Sequence, residues 1–204
     1  MIDPLVLLAF VPAALALNLT PGADMMFCLG QGLRSGPRAA VAASAGISMG
    51  SFVHVTLAAL GLGAALAAVP WLFDAIRWVG VAYLLWLAVQ AFRSRGGAEA
   101  PAVPARRAFR AGFFVNLTNP KVILFVLAFI PQFVDPARPV LAQFLIFGAV
   151  LGLGGFVVNS LVGVFASGAG RRLASPVAQT WLGRISGAIF AALALRLALL
   201  ERAA

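Results

Sequence analysis

The chain has 204 residues, of which 62% are hydrophobic and 10% charged, and its net charge is +9. This balance lies outside the range of soluble globular proteins and predicts an all-α integral membrane protein. Because the basic residues lie between long apolar segments, they suit membrane topology better than nucleic-acid binding. The one cysteine, Cys28, excludes an intramolecular disulfide and a CxxC redox pair.

Six segments are long and apolar enough to cross about 30 Å of hydrocarbon as helices. The first segment has no lysine or arginine before it, so we interpret it as a retained span and not as a cleaved signal peptide. The predicted spans lie at about 5–33, 38–66, 71–92, 108–131, 139–166 and 178–200.

A polar stretch rich in glycine, proline and arginine, residues 94–107, separates an N-terminal three-helix unit, 1–93, from a C-terminal one, 108–204. Most arginines of the predicted loops fall on one side of the membrane, which predicts a cytoplasmic linker and both termini outside. On the linker side are Arg34, Arg38, Arg93, Arg95, Arg106, Arg107, Arg110, Arg171 and Arg172, and opposite them are Arg138 and Arg202.

An odd number of spans in each half means that the second half crosses the membrane in the opposite direction to the first. The sequence Asn18-Leu-Thr-Pro-Gly-Ala-Asp24 in the first span is repeated in part by Asn116-Leu-Thr-Asn-Pro-Lys121 in the fourth. Proline-interrupted segments at matching positions of two halves are typical of transporter binding sites. We therefore predict two inverted three-helix repeats, each with a broken first helix.

Each proline predicts the start of a new half-helix inside the membrane, because proline lacks the N–H that a helix interior needs. In the first span we expect Thr20 as the N-cap, Pro21 as the first helical residue and Asp24 in the first turn. In the fourth span we expect Asn119 as the cap and Pro120 as the first residue. The N–H groups of two such half-helices would suit a substrate carboxylate.

Charged residues beside these breaks sharpen the prediction, since charge deep in a bilayer is usually functional or paired. One hypothesis is that Asp24 attracts a substrate ammonium and Lys121, the single lysine, a substrate carboxylate. The alternative is that Asp24 only compensates its helix dipole and Lys121 only extends to the interface. His54 could carry a coupling proton together with Asp24, or could be a packing residue, and Asn159 could bond between helices or contact substrate.

The sequence predicts no catalytic residue, no cofactor and no metal site, because no nucleophile and base pair, HExxH, Walker or clustered-ligand pattern occurs. The GxxxG spacings Gly46 to Gly50 and Gly148 to Gly152 indicate close helix packing. We expect exposed glycine-rich faces that would suit a homodimer.

The chain resembles the LysE/RhtB family of bacterial amino-acid exporters over essentially its whole length. The family usually has Thr-Pro-Gly-Pro in its first motif, where Ala23 here replaces the second proline. The motifs that carry the resemblance are Asn18-Leu-Thr-Pro-Gly-Ala-Asp24, Gly32-Leu-Arg-Ser-Gly-Pro-Arg38, the run from Phe109 to Lys121, Pro131-Gln-Phe133 and Trp181-Leu-Gly-Arg-Ile-Ser-Gly187.

The resemblance implies a six-span exporter of the bacterial inner membrane, driven by the proton gradient, with lysine, arginine, threonine, homoserine and leucine among family substrates. Amino acid, protons and lipid are the partners that it implies. The substrate-binding positions that it carries over are Thr20, Pro21, Gly22, Asp24, Asn119, Pro120 and Lys121.

Two other functions compete with amino-acid export. A metal or simple-ion exporter would need clustered carboxylates, thiolates or imidazoles, to which the sequence offers Cys28, His54 and Asp24. A membrane scaffold without transport would leave the paired breaks and their charges unexplained. A structure without a cavity between spans one and four would favour the scaffold.

Overall fold

The computed structural model describes residues 2–68, 72–93, 103–166 and 175–199, and these form helices joined by short turns. The predicted all-α class is confirmed. Most of the predicted linker, 94–102, lies outside the described residues, and its last part begins a helix at Ala105. The helices are α1 (Pro4–Leu19), α2 (Ala23–Ser35), α3 (Pro37–Ala68), α4 (Leu72–Arg93), α5 (Ala105–Leu117), α6 (Pro120–Ala128), a 3₁₀ helix (Ile130–Phe133), α7 (Val140–Phe165) and α8 (Pro176–Leu199).

Of the helices described, α3 and α7 are long and apolar enough to cross a membrane without interruption. Two further spans arise if each bent pair counts as one: α1 with α2, bent by 54°, and α5 with α6 and the 3₁₀ helix, bent by 55°. In α4 and α8 the described apolar parts are shorter, at Trp78–Arg93 and Thr180–Leu195. Six complete spans therefore stay a prediction.

Both predicted breaks are present, but the cap of the first one was assigned wrongly. Asn119 caps α6 as expected, since its Oδ1 accepts from Lys121 N at 3.0 Å and Pro120 is the first helical residue. Thr20 instead ends α1, because its hydroxyl and its N–H both donate to the Ala16 carbonyl. The N-cap of α2 is Gly22, without a side-chain bond, so the helix begins at Ala23 and the prediction of Pro21 as its first residue is wrong, whereas Asp24 lies in the first turn as predicted.

The two halves of the chain pack by exchanging their broken helices. α5 of the second half lies along α3 of the first, α1 and α2 of the first half lie along α7 of the second, and α3 also packs on α7. α4 packs on α8 at the side. This packing brings the two breaks next to each other, since Lys121 beside the second break bonds the carbonyls of the first. The inverted repeat stays a prediction.

The GxxxG glycines pack helices together within one copy, as their spacing predicted. A Cβ at Gly46 would collide with the Phe109 carbonyl, and one at Gly50 would lie 2.7 Å from Asn116 Oδ1. A Cβ at Gly148 would lie 2.6 Å from Val55. These glycines are covered by other helices of the same chain, so the expectation that they are exposed was wrong. They give no support to a homodimer.

Two apolar clusters lie on either side of the breaks. The larger cluster is aromatic and centres on Phe10, whose ring centroid lies 4.8 Å from that of Phe147 and 5.3 Å from that of Phe133. The smaller cluster is built mostly from small side chains of α2, α3 and α5, such as Ala39, Ala43 and Cys28. The space between the clusters is where polar side chains meet.

Candidate functional site

A small polar cavity lies between the two clusters, lined by α1, α2, α3, α6 and α7. The space that the centre of a water molecule can reach is about 20 Å³, which is room for about one water and not for an amino acid. A cavity between spans one and four is therefore present. Its polar lining residues are Asn18, Thr20, Asp24, Ser48, Ser51, Lys121 and Asn159.

The first break is completed by a side chain from the other half of the chain. In an unbroken helix the Leu17 carbonyl would accept from the N–H of residue 21, which Pro21 lacks. Lys121 Nζ supplies that bond, donating to the Leu17 carbonyl at 3.0 Å and to the Thr20 carbonyl at 3.0 Å. Gly22 leaves room for this ammonium, because a Cβ there would lie 3.1 Å from Nζ.

The second break is completed in the same way by His54. Pro120 removes the N–H that would bond the Asn116 carbonyl, and His54 Nε2 lies 3.2 Å from that oxygen. Since a carbonyl oxygen only accepts, Nε2 carries the proton in this contact. This contact joins α3 to the second break, as the packing interpretation of His54 requires. The coupling role of His54 stays a prediction.

Asp24 lies at the centre of these contacts and is buried, with 9% of its surface exposed. Its Oδ2 accepts from Asn116 Nδ2 at 2.9 Å, and Ser51 Oγ in turn donates to Asn116 Oδ1 at 3.3 Å. Its Oδ1 is buried without a hydrogen-bond partner among the described residues. Asn119 lies near the Asp24 carboxyl, but its buried Nδ2 lacks the geometry of a hydrogen bond.

The predicted approach of Asp24 and Lys121 is present as a shared cavity and not as a direct ion pair. Both side chains line the cavity and interact electrostatically. Lys121 directs two of its N–H groups to main-chain carbonyls, and Asp24 bonds Asn116. Because an ammonium has three donors and the described residues accept from two of them, one N–H of Lys121 is left for a further acceptor.

The structure brings the predicted site residues together around the two breaks, although Pro120 is exposed and Pro21 and Gly22 act through the backbone. Two contacts were missed by the sequence reasoning. Asn116 holds Asp24, and its place in the repeated Asn-Leu-Thr motif was a usable signal. Tyr83 of α4, the single tyrosine, donates its hydroxyl to the Lys121 carbonyl at 2.6 Å, and no sequence pattern indicates this contact.

Comparison with known proteins adds to this geometry. The family model described as LysE type translocator matches residues 15–201. The homoserine/homoserine lactone efflux protein of Salmonella typhimurium is 33% identical over 186 residues, 89% of this chain and 90% of that protein. The leucine efflux protein of Enterobacter sp. strain 638 is 32% identical over 203 residues, 94% of each chain.

An uncharacterized membrane protein of Vibrio cholerae is also similar, at 33% identity over 191 residues, 90% of this chain and 91% of that one. No solved structure matches this chain.

Proposed function

This chain belongs to the LysE type translocator family, and from that premise we propose that it is a secondary active exporter of an amino acid or a related small zwitterion. Its membrane character and its family agree with that activity. Relatives that match most of this chain are named as efflux proteins for homoserine or homoserine lactone and for leucine. These names support an amino-acid substrate without deciding which one.

The observation that carries the proposal is the pairing of opposite charges in one cavity between two broken helices. Asp24 offers Oδ1, which has no hydrogen-bond partner among the described residues, to a substrate ammonium, and Lys121 offers its third N–H to a substrate carboxylate. A buried acceptor without a donor is costly, by about 1 to 3 kcal/mol. A zwitterion would supply the donor and the acceptor at once.

The cavity is too small for an amino acid in this conformation, so the helices must move to admit one. We propose that the two halves rock against each other around the breaks, as transporters with inverted repeats do. The aromatic cluster around Phe10 would close one side, and the small-residue cluster around Cys28 would close the other.

Proton antiport is the proposed source of energy, and Asp24 is the first candidate for the coupling group. A carboxylate that alternates between a proton and a substrate ammonium couples the two fluxes directly. His54 is the second candidate, since its Nδ1 is not used in the contact with Asn116. We further propose a place in the bacterial inner membrane, with the linker cytoplasmic and both termini outside.

A metal-ion substrate is a weaker proposal for the same cavity. The lining combines one carboxylate with an ammonium, amides and hydroxyls, and the Lys121 charge would repel a cation. The zwitterion fits both charges.

The test is counterflow of a panel of radiolabelled amino acids in proteoliposomes that contain the purified full-length chain. We expect one amino acid to be transported, faster under an imposed pH gradient, and this transport to be lost in Asp24→Asn. The matched control is Asp135→Asn, because Asp135 lies in an exposed turn beside Arg138 at 3.0 Å. Wild-type transport by Asp24→Asn, or no amino-acid flux in correctly inserted wild-type protein, would overturn the proposal.

A further inference from the structure

We propose that Asn159 of α7 is a second ligand of the substrate ammonium, acting together with Asp24, so that the site selects substrates with a free amino group. This inference rests on the proposed function and assigns a substrate-binding role to a residue outside the two broken helices. Asn159 is buried, with 4% of its surface exposed, and lines the same cavity as Asp24.

The first argument is the shared lack of a donor. Asn159 Oδ1 and Asp24 Oδ1 are both buried side-chain oxygens without a hydrogen-bond partner among the described residues. Buried polar atoms in folded proteins are nearly always bonded, so each such atom calls for an explanation. The buried Asn119 Nδ2, near the Asp24 carboxyl, also lacks a partner, and a ligand ammonium is a donor that would satisfy both oxygens at once.

The second argument is that the packing places the two side chains at the same depth. Asn18 of α1 packs on Gly155 and donates to the Leu151 carbonyl, while Cys28 of α2 faces Gly163. The broken helix therefore runs beside α7 in the same direction. Asp24 lies one turn before Cys28, and Asn159 lies one turn before Gly163, so both side chains line the cavity at about the same depth.

The third argument is chemical. A primary ammonium has three donors in a tetrahedral arrangement, and it needs several acceptors when it leaves water. The carboxylate of Asp24 compensates the charge but has one oxygen occupied by Asn116. An amide oxygen from the neighbouring helix supplies a second acceptor without adding charge.

The role also explains why the Asn159 oxygen makes no bond between the described helices. Two other polar side chains of the α3–α7 interface do so: Ser44 donates to the Phe156 carbonyl at 2.9 Å, and Ser48 to the Gly152 carbonyl at 2.9 Å. The hydroxyl groups of these serines thus find their acceptors on the neighbouring helix. Asn159, one turn further along α7, lines the cavity, and its oxygen has no hydrogen-bond partner among the described residues.

The experiment uses counterflow of the transported amino acid in proteoliposomes, inhibited by two analogues. The methyl ester keeps the ammonium and lacks the carboxylate, and the deaminated acid keeps the carboxylate and lacks the ammonium. Wild type is compared with Asn159→Leu, with Asn159→Asp, which keeps an acceptor, and with the control Ser160→Ala. Ser160 also carries a buried hydroxyl without a partner among the described residues, but it does not line the cavity.

We expect Asn159→Leu to raise the KM of the amino acid and the half-inhibitory concentration of the ester about tenfold, the size of one hydrogen bond to a charged group. Inhibition by the deaminated acid should be unchanged, and Asn159→Asp should restore inhibition by the ester. Equal weakening of both analogues would mean that Asn159 only packs, and unchanged inhibition would mean that it binds only water. Either result overturns this ligand role while wild-type flux leaves the exporter standing, whereas no flux in wild type overturns both.

Discussion

At both helix breaks a proline leaves a main-chain carbonyl without its helical donor, but the two breaks differ in how many bonds from nearby residues replace it. In each, a proline removes the donor for a carbonyl four residues earlier, and a basic side chain of the opposite half supplies it. At the second break, the Asn116 carbonyl also accepts from Asn119 N at 2.9 Å, and the Asn119 side chain caps the new helix. The first break has no side-chain cap and takes two bonds from Lys121.

For the proposed exporter, this difference predicts which break responds to substrate. The second break has a local cap and a local main-chain bond, so we expect its shape to depend less on His54 than the first break depends on Lys121. The first break depends on an ammonium that also faces the cavity. A substrate carboxylate that draws Lys121 away would loosen the end of α1, and so link binding to movement of one half against the other.

The largest expected effect is therefore that of Lys121→Met. Removing the ammonium leaves the Leu17 and Thr20 carbonyls without their donor in a region shielded from water, and we expect unfolding to become easier by about 3 kcal/mol. Transport should be lost as well. The measurement is the free energy of unfolding in mixed detergent micelles, with counterflow in parallel.

The control for this change is Arg110→Met, which removes an exposed basic side chain near the ring of Phe114. We expect it to change the free energy of unfolding by less than about 0.5 kcal/mol. If Lys121→Met were as stable as wild type, the dependence of the first break on Lys121 would be wrong.

A smaller effect is expected for His54→Leu, about 1 kcal/mol, because the Asn116 carbonyl keeps its main-chain donor. His54→Gln keeps a side-chain N–H and should recover most of this stability, as measured in the same micelles. Its transport separates the two roles of His54. Unchanged stimulation by a pH gradient in His54→Gln would leave only the packing role, and loss of stimulation would support proton coupling.

The smallest effect is expected for the threonines of the repeated motif. Thr20 and Thr118 both donate their hydroxyl to the carbonyl four residues earlier, but Thr20 is buried at the cavity and Thr118 is exposed. We expect Thr118→Val to change the free energy of unfolding by less than about 0.5 kcal/mol and the rate of transport by less than about twofold. Thr20→Val should slow transport. If Thr20→Val and Thr118→Val changed the rate of counterflow equally, the conclusion that the first break matters more for transport would be wrong.

Much of this arrangement can be predicted from the sequence because proline acts locally. The positions of both breaks, the cap at Asn119 and the place of Asp24 in a first turn follow from Pro21 and Pro120. The role of Thr20 was wrong because a threonine before a proline can bond backward to its own helix as well as forward. The same sequence around Pro21 is compatible with either hydrogen bond of the Thr20 hydroxyl.

The donors that complete the breaks could not be predicted, because they come from the opposite half. Leu17 and Asn116 can be identified as the deprived carbonyls by counting four residues back from each proline. Whether Lys121, His54 or water bonds them depends on how α6 and α3 pack, which the pattern of apolar residues does not determine. The bond from Tyr83 has the same origin.

The central claim is that Lys121 replaces the N–H that Pro21 lacks while also serving the substrate, and a double-mutant cycle tests it directly. Pro21→Ala restores an N–H for the Leu17 carbonyl, so Lys121→Met should destabilise the Pro21→Ala variant less than the wild type, by at least about 1 kcal/mol. Counterflow should stay absent in the double variant, because the ammonium is still missing from the cavity. The account would be contradicted if Lys121→Met destabilised the wild type and the Pro21→Ala variant equally, or if the double variant regained counterflow.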